Sequence, residues 1–573
     1  MTTLDKALAE YARGEHRNID LILNEIKTAK QFPVNHQNFL SECLRLIEEL
    51  PSNLMLVIAN LFLTEKQWFT LEPRLIDQCI CLLTCISLHN SSVLNQLLVS
   101  ACNLLFSVDI HLSDEDKHRF PSQCFDLAAK CLHELVLAIP QAEDQVLEVL
   151  KMYLPSWRRP VKEVFVPCCN LFALSHWALQ HPFLSNTSVS NLMNLVFMQL
   201  IDLEAHIDMT DYSNQNSIFT AADDFLETSS FEKNVLQMLE VLGASDSNEH
   251  SKVEILVWLS IMYMHLMFDA LPKFPTPVKM NKREWSQLCS VFRCMRTRFF
   301  QYVLPVQNYF TAFPLILAFV CSLRPAVVVS YAESLWNFVK DNRQPTESRV
   351  RCVAYLSDTL ARSNYDSNEV LLELLHDMSS WCVEYTYFQR GRVFGQSSQM
   401  SAEHTLFYTV FEAVVYLLTY RQADLLGSRS SRESCVLLPL GQLINSPFRP
   451  LNHIRTELRA LFCATASAHK LNWTIFVPHD APELLLSGLR DDNADVASSN
   501  LEFFAIPSFV CPLRRSLSTI SFASLLHLRG FTPSRRLIKA CLDKASTDSR
   551  PKSKHTKLRT NHFNLKALAK LEN

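Results

Sequence analysis

"VRCVAYLSDTLARSNY", Val350 to Tyr365, is the stretch whose reading decides the fold. Apolar Val350, Val353, Leu356 and Leu360 recur at steps of three, three and four, the period of a helix with one buried face. At 100° per residue, Arg351, Asp358 and Arg362 fall together on the opposite side, which predicts an exposed charged stripe. Glu347/Arg351 and Asp358/Arg362 stand at i,i+4, a spacing that adds only a few tenths of a kcal/mol on a helix surface. Two readings of the stripe follow: an ordinary solvated face, or a face on which another protein docks.

Working outward, the same period repeats almost without pause. "CFDLAAKCLHELVLAI", "QVLEVLKMYL" and "VPCCNLFALSHWAL" precede the stretch; "SYAESLWNFVK" and "NEVLLELLHDMSSWCV" flank it. The breaks are short and carry Pro, Asp or Asn, as in "YLPSWRRP" and "DNRQPTES". Residues 326–340, 346–362 and 368–385 read as consecutive packed helices, with Asp366 and Glu369 as a capping box for the third. Glycine supports the same class: only 8 in 573 residues, against roughly 7% in average proteins. Strand turns, phosphate loops and α/β crossovers all need glycine, so the chain is expected to be all-α. No repeat of fixed period is present, which predicts a degenerate HEAT/armadillo-like helical-repeat solenoid.

Composition excludes several classes. At 48% hydrophobic and 20% charged, the chain can bury a large core. Its 18 cysteines are scattered, with no CxxC pair and no zinc-type spacing, and "MTTLDKALAEYARGEHRN" is not secretory in character. A reducing compartment with free buried thiols is expected. The uncharged run Phe299–Leu323 is long enough to cross a bilayer, but Pro305, Pro314, Gln301, Gln307 and Asn308 suit two short buried helices at a proline turn. Phosphate-loop, HExxH, GxSxG and kinase signatures are absent, and the carboxylates of "HLSDEDKH" (His111–His118) read as solvated rather than metal-binding. No enzyme, cofactor or metal is expected.

Charge is unevenly placed. Residues 201–232 hold eight acidic residues and no Lys or Arg, whereas Arg535–Lys570 holds eleven Lys/Arg against two Asp. Outside that tail stand 43 basic and 56 acidic residues, a net of −13 that the overall −4 conceals. The expected organisation is N-terminal repeats over 1–200, an acidic flexible linker with a short helix over 201–250, C-terminal repeats over 251–530 and a disordered basic tail over 531–573. In the tail, Lys552, Lys554, Lys557 and Arg559 form a candidate nuclear-localisation cluster, with a solvated terminus as the alternative.

Several segments in order carry a family resemblance. "RFFQYVLPVQNYFTAFPLILAFVCS" (Arg298–Ser322) is followed by "ESLWNFVKDNRQPTESRVRCVAYLSDTLARSNY" and "SSWCVEYTYF". Then come "HTLFYTVFEAVVYLLTYRQADLL", "LINSPFRPLNHIRTELRALF" and "LEFFAIPSFVCPLRRSLSTI", with "EVLKMYLPSWRRPVKEVFVPCCNLFALSHW" (Glu148–Trp177) earlier. This series, over roughly 95–520, resembles the RNA polymerase I-specific transcription initiation factor family, called initiation factor IA in animals. The resemblance implies a HEAT-repeat protein of the nucleus and nucleolus that binds RNA polymerase I subunits, bridges them to promoter-bound core transcription factors and is regulated by phosphorylation. Leu360, Ala361 and Arg362 match the family's LAR-type segment, associated with polymerase contact; here it continues "SNY" where a second basic residue is more usual. Arg351 and Asp358 on the same helix, and Arg158 and Arg159 in "PSWRRPVKE", complete the expected contact set. That last block aligns with a stretch carrying regulated serines in animal relatives, but here only Ser156 lies nearby.

An acidic body suits basic patches on a protein better than DNA phosphates, so no direct sequence-specific nucleic-acid binding and no membrane role are expected. Oligomeric state is open between monomer and homodimer. Serines beside clustered charge are the expected phosphorylation sites: Ser516, Ser518, Ser546, Ser549 and Ser553, then the proline-followed Ser446 and Thr532. Two rival functions remain: a karyopherin-like or other helical-repeat scaffold, and a helical enzyme with a deep pocket of convergent polar groups.

Overall fold

The computed structural model describes residues 3–11, 13–15, 17–28, 34–62, 73–106, 120–206, 249–268, 279–306, 310, 312–362, 368–389 and 404–471. The acidic segment between 207 and 248 and everything after 471, with the basic tail, lie outside the described residues. Among the described residues every element is helical.

Ten helices come first among the described residues: α1 (Thr3–Tyr11), α2 (Arg17–Thr28), α3 (Val34–Arg45), α4 (Ser52–Phe62), α5 (Pro73–His89), α6 (Ser91–Phe106), α7 (Phe120–Ala138), α8 (Ala142–Tyr153), α9 (Val161–Gln180) and α10 (Asn186–His206). They are followed by α11 (Glu249–Met267), α12 (Lys282–Arg298), a π-helical turn (Phe299–Val303), α13 (Ala312–Ser322), α14 (Pro325–Lys340), α15 (Thr346–Arg362), α16 (Asn368–Phe388) and α17 (Thr405–Tyr420). The short α18 (Gln422–Leu425), α19 (Arg429–Val436) and α20 (Leu440–Ile444), a 3₁₀ turn (Pro450–Asn452) and α21 (Thr456–Ala468) end the described chain. The chain forms two compact units: one holds residues up to Leu203 and α11 as far as Tyr263, the other begins with Glu204 and resumes at Met264. Within each, helices pack mainly on those next or next but one in sequence, as α6 does on α5, α7 and α8 and α14 on α13 and α15. This local stacking is how helical repeats bury a core without long-range pairing.

Helix α10 runs on to His206 because Leu203 and Glu204 are buried, at 0% and 3% exposure. The Glu204 carboxylate accepts from the N–H groups of Ala312 (2.9 Å) and Phe313 (3.4 Å), which satisfies the first donors of α13. The apolar run around Phe299 divides into the π turn and the eleven-residue α13, every residue of which is buried. No helix among the described residues is long and apolar enough to cross a membrane.

The central correction concerns α15. Its bounds, Thr346–Arg362, are those the period predicts, but it does not have an exposed charged side. Every residue from Ser348 to Ala361 is buried, including Arg351 at 8% and Asp358 at 1%. Helices α14 and α17 pack on it, and its polar side chains find partners in backbone that enters from other elements. Arg351 Nε donates to the Leu304 carbonyl (2.8 Å), and its Nη2 to the Pro305 carbonyl and Ser348 Oγ (both 3.2 Å). The Tyr416 hydroxyl donates to Asp358 Oδ1 at 3.4 Å. Tyr355 accepts from the Phe310 N–H (3.0 Å) and donates to the Phe310 carbonyl (3.2 Å). A 3.6-residue period identifies a helix, but it does not distinguish water from a carbonyl as the partner of a polar residue.

Two more buried arginines act alike. Arg349 Nε donates to the Val339 carbonyl (2.6 Å) at the end of α14, and Arg421 Nη1 to the Leu360 carbonyl (2.7 Å) at the end of α15. The last carbonyls of a helix lack intrahelical donors and carry partial negative charge, so a guanidinium both pairs and neutralises them. Glycine is required where α18 turns toward α19: a Cβ on Gly427 would run into the Ala423 carbonyl oxygen.

The thiols follow burial. Cys79, Cys102, Cys131 and Cys168 are pushed up to about 12 by desolvation, whereas Cys81 is exposed. A thiol reagent at mildly alkaline pH is therefore expected to label Cys81 promptly and those four only at the rate of unfolding, read by peptide mapping. Arg351→Ala leaves buried carbonyls unpaired and is expected to cost about 2–4 kcal/mol, read by denaturant titration. Wild-type stability for that variant would return Arg351 to solvent.

Candidate functional site

The expected contact set separates into a buried half and an exposed half. Arg351, Asp358, Leu360 and Ala361 lie in the core of the second unit, at 8%, 1%, 1% and 0% exposure. Their burial corrects the expected exposure of this stripe: these four side chains face the interior and not solvent. Arg362 ends α15, and its side chain lies outside the described residues. Ser516, Ser518, Thr532, Ser546, Ser549, Ser553, Lys552, Lys554, Lys557 and Arg559 lie outside them too. Ser446 is half-buried, with its Oγ shielded and without a hydrogen-bond partner among the described residues, so a kinase reaches it only if that turn opens.

Arg158 and Arg159 are exposed, on the loop joining α8 to α9. Its conformation follows from its sequence. Leu154 takes φ −60° and ψ 121°, the extended backbone that a residue before proline prefers, and α8 stops there. Pro160 caps α9 from the other side, with no donor of its own to leave unpaired. Between them Trp157 turns inward, at 9% exposure, and anchors the loop. Its N–H donates to Gln199 Oε1 on α10 (2.9 Å), and its carbonyl accepts from Lys252 Nζ on α11 (3.0 Å). The Arg159 N–H closes a turn onto the Ser156 carbonyl at 3.0 Å.

With the backbone held at both the N–H and the carbonyl of Trp157, the two guanidiniums project from a fixed base. Arg158 lies over the Trp157 ring, 5.3 Å from its centroid, an arrangement that restricts its rotamers. Arg159 stands 3.9 Å from Glu163, a surface pair worth little in stability that leaves most of its donors free to exchange partners. The preceding turn of α8 presents Lys151, Met152 and Tyr153 to solvent, with Met152 69% and Tyr153 43% exposed. Arginine, aromatic and methionine side chains together are the residue types enriched at the energetic centres of protein interfaces. Sequence reasoning chose the two arginines but missed Gln199 and Lys252, 42 residues and 95 residues from Trp157, because no local pattern reports such contacts.

Among the described residues no cluster of His, Cys, Asp and Glu could hold a metal ion. Burial raises the thiols of Cys321, Cys352 and Cys382, which disfavours the nucleophilic thiolate.

The chain matches the family model described as "RNA polymerase I specific transcription initiation factor RRN3" over residues 1–478. A mouse relative, "RNA polymerase I-specific transcription initiation factor RRN3", is 19% identical over 546 residues, covering 90% of this chain and 79% of that protein. Among solved structures, "Crystal Structure of RNA Polymerase I Transcription Initiation Factor Rrn3" superposes with a TM-score of 0.62 at 14% identity, over 93% of this chain and 98% of that one. At that identity the superposition shows a shared helical-repeat fold.

The anchoring of the loop is open to test. Lys252→Met keeps the aliphatic stem but removes the donor to the Trp157 carbonyl. Amide exchange in residues 154–160 is expected to speed up by about tenfold, corresponding to the loss of one buried hydrogen bond of about 1–2 kcal/mol.

Proposed function

We propose, from the premise that this chain belongs to the RNA polymerase I specific transcription initiation factor RRN3 family, that it docks on RNA polymerase I through the α8–α9 loop and bridges the enzyme to promoter-bound core factors. Transcription initiation by RNA polymerase I is the function the family carries, and it supports a nuclear and nucleolar site of action. The observation that supports the α8–α9 loop as the contact is its construction. Arg158 and Arg159 are exposed on a backbone held by Gln199 and Lys252, so little ordering entropy remains to be lost on binding. The family match disfavours the karyopherin-like reading, which has no such support.

The chemistry of docking is charge-assisted. Two guanidiniums and Lys151 meet carboxylates on the polymerase, while Met152 and Tyr153 supply apolar contact at the margin. The net charge of −13 outside the basic tail then works against wrong orientations, since only a local basic point can approach an acidic surface closely. Phosphorylation at Ser516, Ser518, Thr532, Ser546, Ser549 or Ser553 would add charge near the basic C-terminal segment, and Lys552, Lys554, Lys557 and Arg559 would serve nuclear entry. A second copy of the chain remains a further partner within this reading.

The test is Arg158→Glu with Arg159→Glu. Both side chains are exposed, so the variant is expected to melt within about 1 kcal/mol of wild type. It is expected to lose co-purification with RNA polymerase I from nuclear extract, because reversed charge repels the partner. A variant that retains polymerase at wild-type yield would remove this loop from the interface.

A further inference from the structure

The second unit carries a cleft that the polymerase reading does not use. It is lined by Met280, Asn281, Lys282, Trp285, Arg324, Pro325 and Ala326, with a volume of about 400 Å³. It lies where the N-terminal turns of α12 and α14 come together, so two helix dipoles present their positive ends to it.

The side chains strengthen that field. Arg324 lies over the Trp285 ring, 5.8 Å from its centroid, and its Nε is shielded from solvent without an acceptor among the described residues. A shielded guanidinium N–H without an acceptor is costly and uncommon in a folded protein. Lys282 is exposed at the rim, with Lys279 three residues before it, and neither forms an ion pair among the described residues. The nearby acid, Glu284, is committed elsewhere. Its Oε2 accepts from the Asn281 N–H (2.9 Å) and its Oε1 from Asn281 Nδ2 (2.6 Å), while Asn281 Oδ1 caps α12. The first turn of α14 has no side-chain cap.

We propose that this cleft binds an oxyanion, a carboxylate or phosphate, carried on an acidic segment of a partner protein. Arg324 supplies a guanidinium charge seated over the Trp285 ring, and Lys282 a second charge at the rim. A protein partner fits better than nucleic acid. Arg324 and Lys282 line a single cleft instead of tracking a backbone, and the chain outside its basic tail is acidic, which repels a polyanion but tolerates one anionic group. The site belongs to the second unit and stands independently of the Arg158/Arg159 loop.

The experiment uses the full chain labelled with 5-fluorotryptophan, the Trp285 fluorine resonance being assigned by its loss in Trp285→Phe. Four probes are titrated: a short acidic peptide with one central phosphoserine, the same peptide with glutamate there, inorganic phosphate, and a short single-stranded oligonucleotide. The expected result is a saturable shift of the Trp285 resonance with one or both peptides. Binding should be at least about tenfold weaker in Arg324→Gln and in Lys282→Glu. Preference between the two peptides identifies phosphate or carboxylate as the source. Should Arg324→Gln fail to fold, Lys282→Glu decides, since Lys282 is exposed. No Trp285 shift with either peptide, equal peptide binding by wild type and Lys282→Glu, or a response to oligonucleotide or inorganic phosphate as strong as to peptide would each overturn the proposal.

Discussion

The second unit depends on guanidinium groups seated on the ends of helices. Arg351 reaches the Leu304 and Pro305 carbonyls beyond the π turn, Arg349 reaches Val339 and Arg421 reaches Leu360. A helical-repeat protein multiplies helix ends, and each buried C-terminus leaves carbonyls that water cannot reach. Arginine solves this with planar, permanently charged donors at the end of a long stem, so it reaches from one helix to the terminus of another. Apolar burial supplies most of the favourable energy, but it does not fix which helix meets which. These contacts specify the pairing, because any other arrangement leaves a buried charge and buried carbonyls unsatisfied.

The same residue type has a different consequence in the first unit. Arg158 and Arg159 stand on a loop whose Trp157 is buried, so the anchor and the charge are adjacent residues with opposite destinations. Gln199 and Lys252 hold the two peptide units that flank Trp157, which converts a short connection into a fixed platform. Burial thus divides the arginines by role: those meeting carbonyls build the fold, and those meeting water are available to a partner.

Much of the fold was legible in the sequence. The scarcity of glycine excluded sheets, and the apolar period placed α15 at Thr346–Arg362 and the start of α16 at Asn368, as found. The surroundings of α15 were not legible. Arg351 and Asp358 fall on one angular side whether that side faces solvent or a neighbouring element, and the chain after the π turn, at Arg351, and α17, at Asp358, decide it. A hint was present in "HTLFYTVFEAVVYLLTY", a helix so apolar that it must be enclosed; α17 is buried from Leu406 to Tyr420. A helix that needs enclosing needs neighbours whose polar faces are also covered. For the contact surface, the family resemblance chose both a buried and an exposed group, and accessibility separated them.

Amide hydrogen exchange of the full chain, free and bound to purified RNA polymerase I, tests the division between structural and contacting arginines most directly. If the α8–α9 loop is the contact, peptides covering residues 151–163 gain protection in the complex. Those covering 346–362 stay as slow as in the free chain, since Ser348–Ala361 are already buried. Protection gained at 346–362 with none at 151–163 would contradict it, and would return the LAR-type segment to the surface.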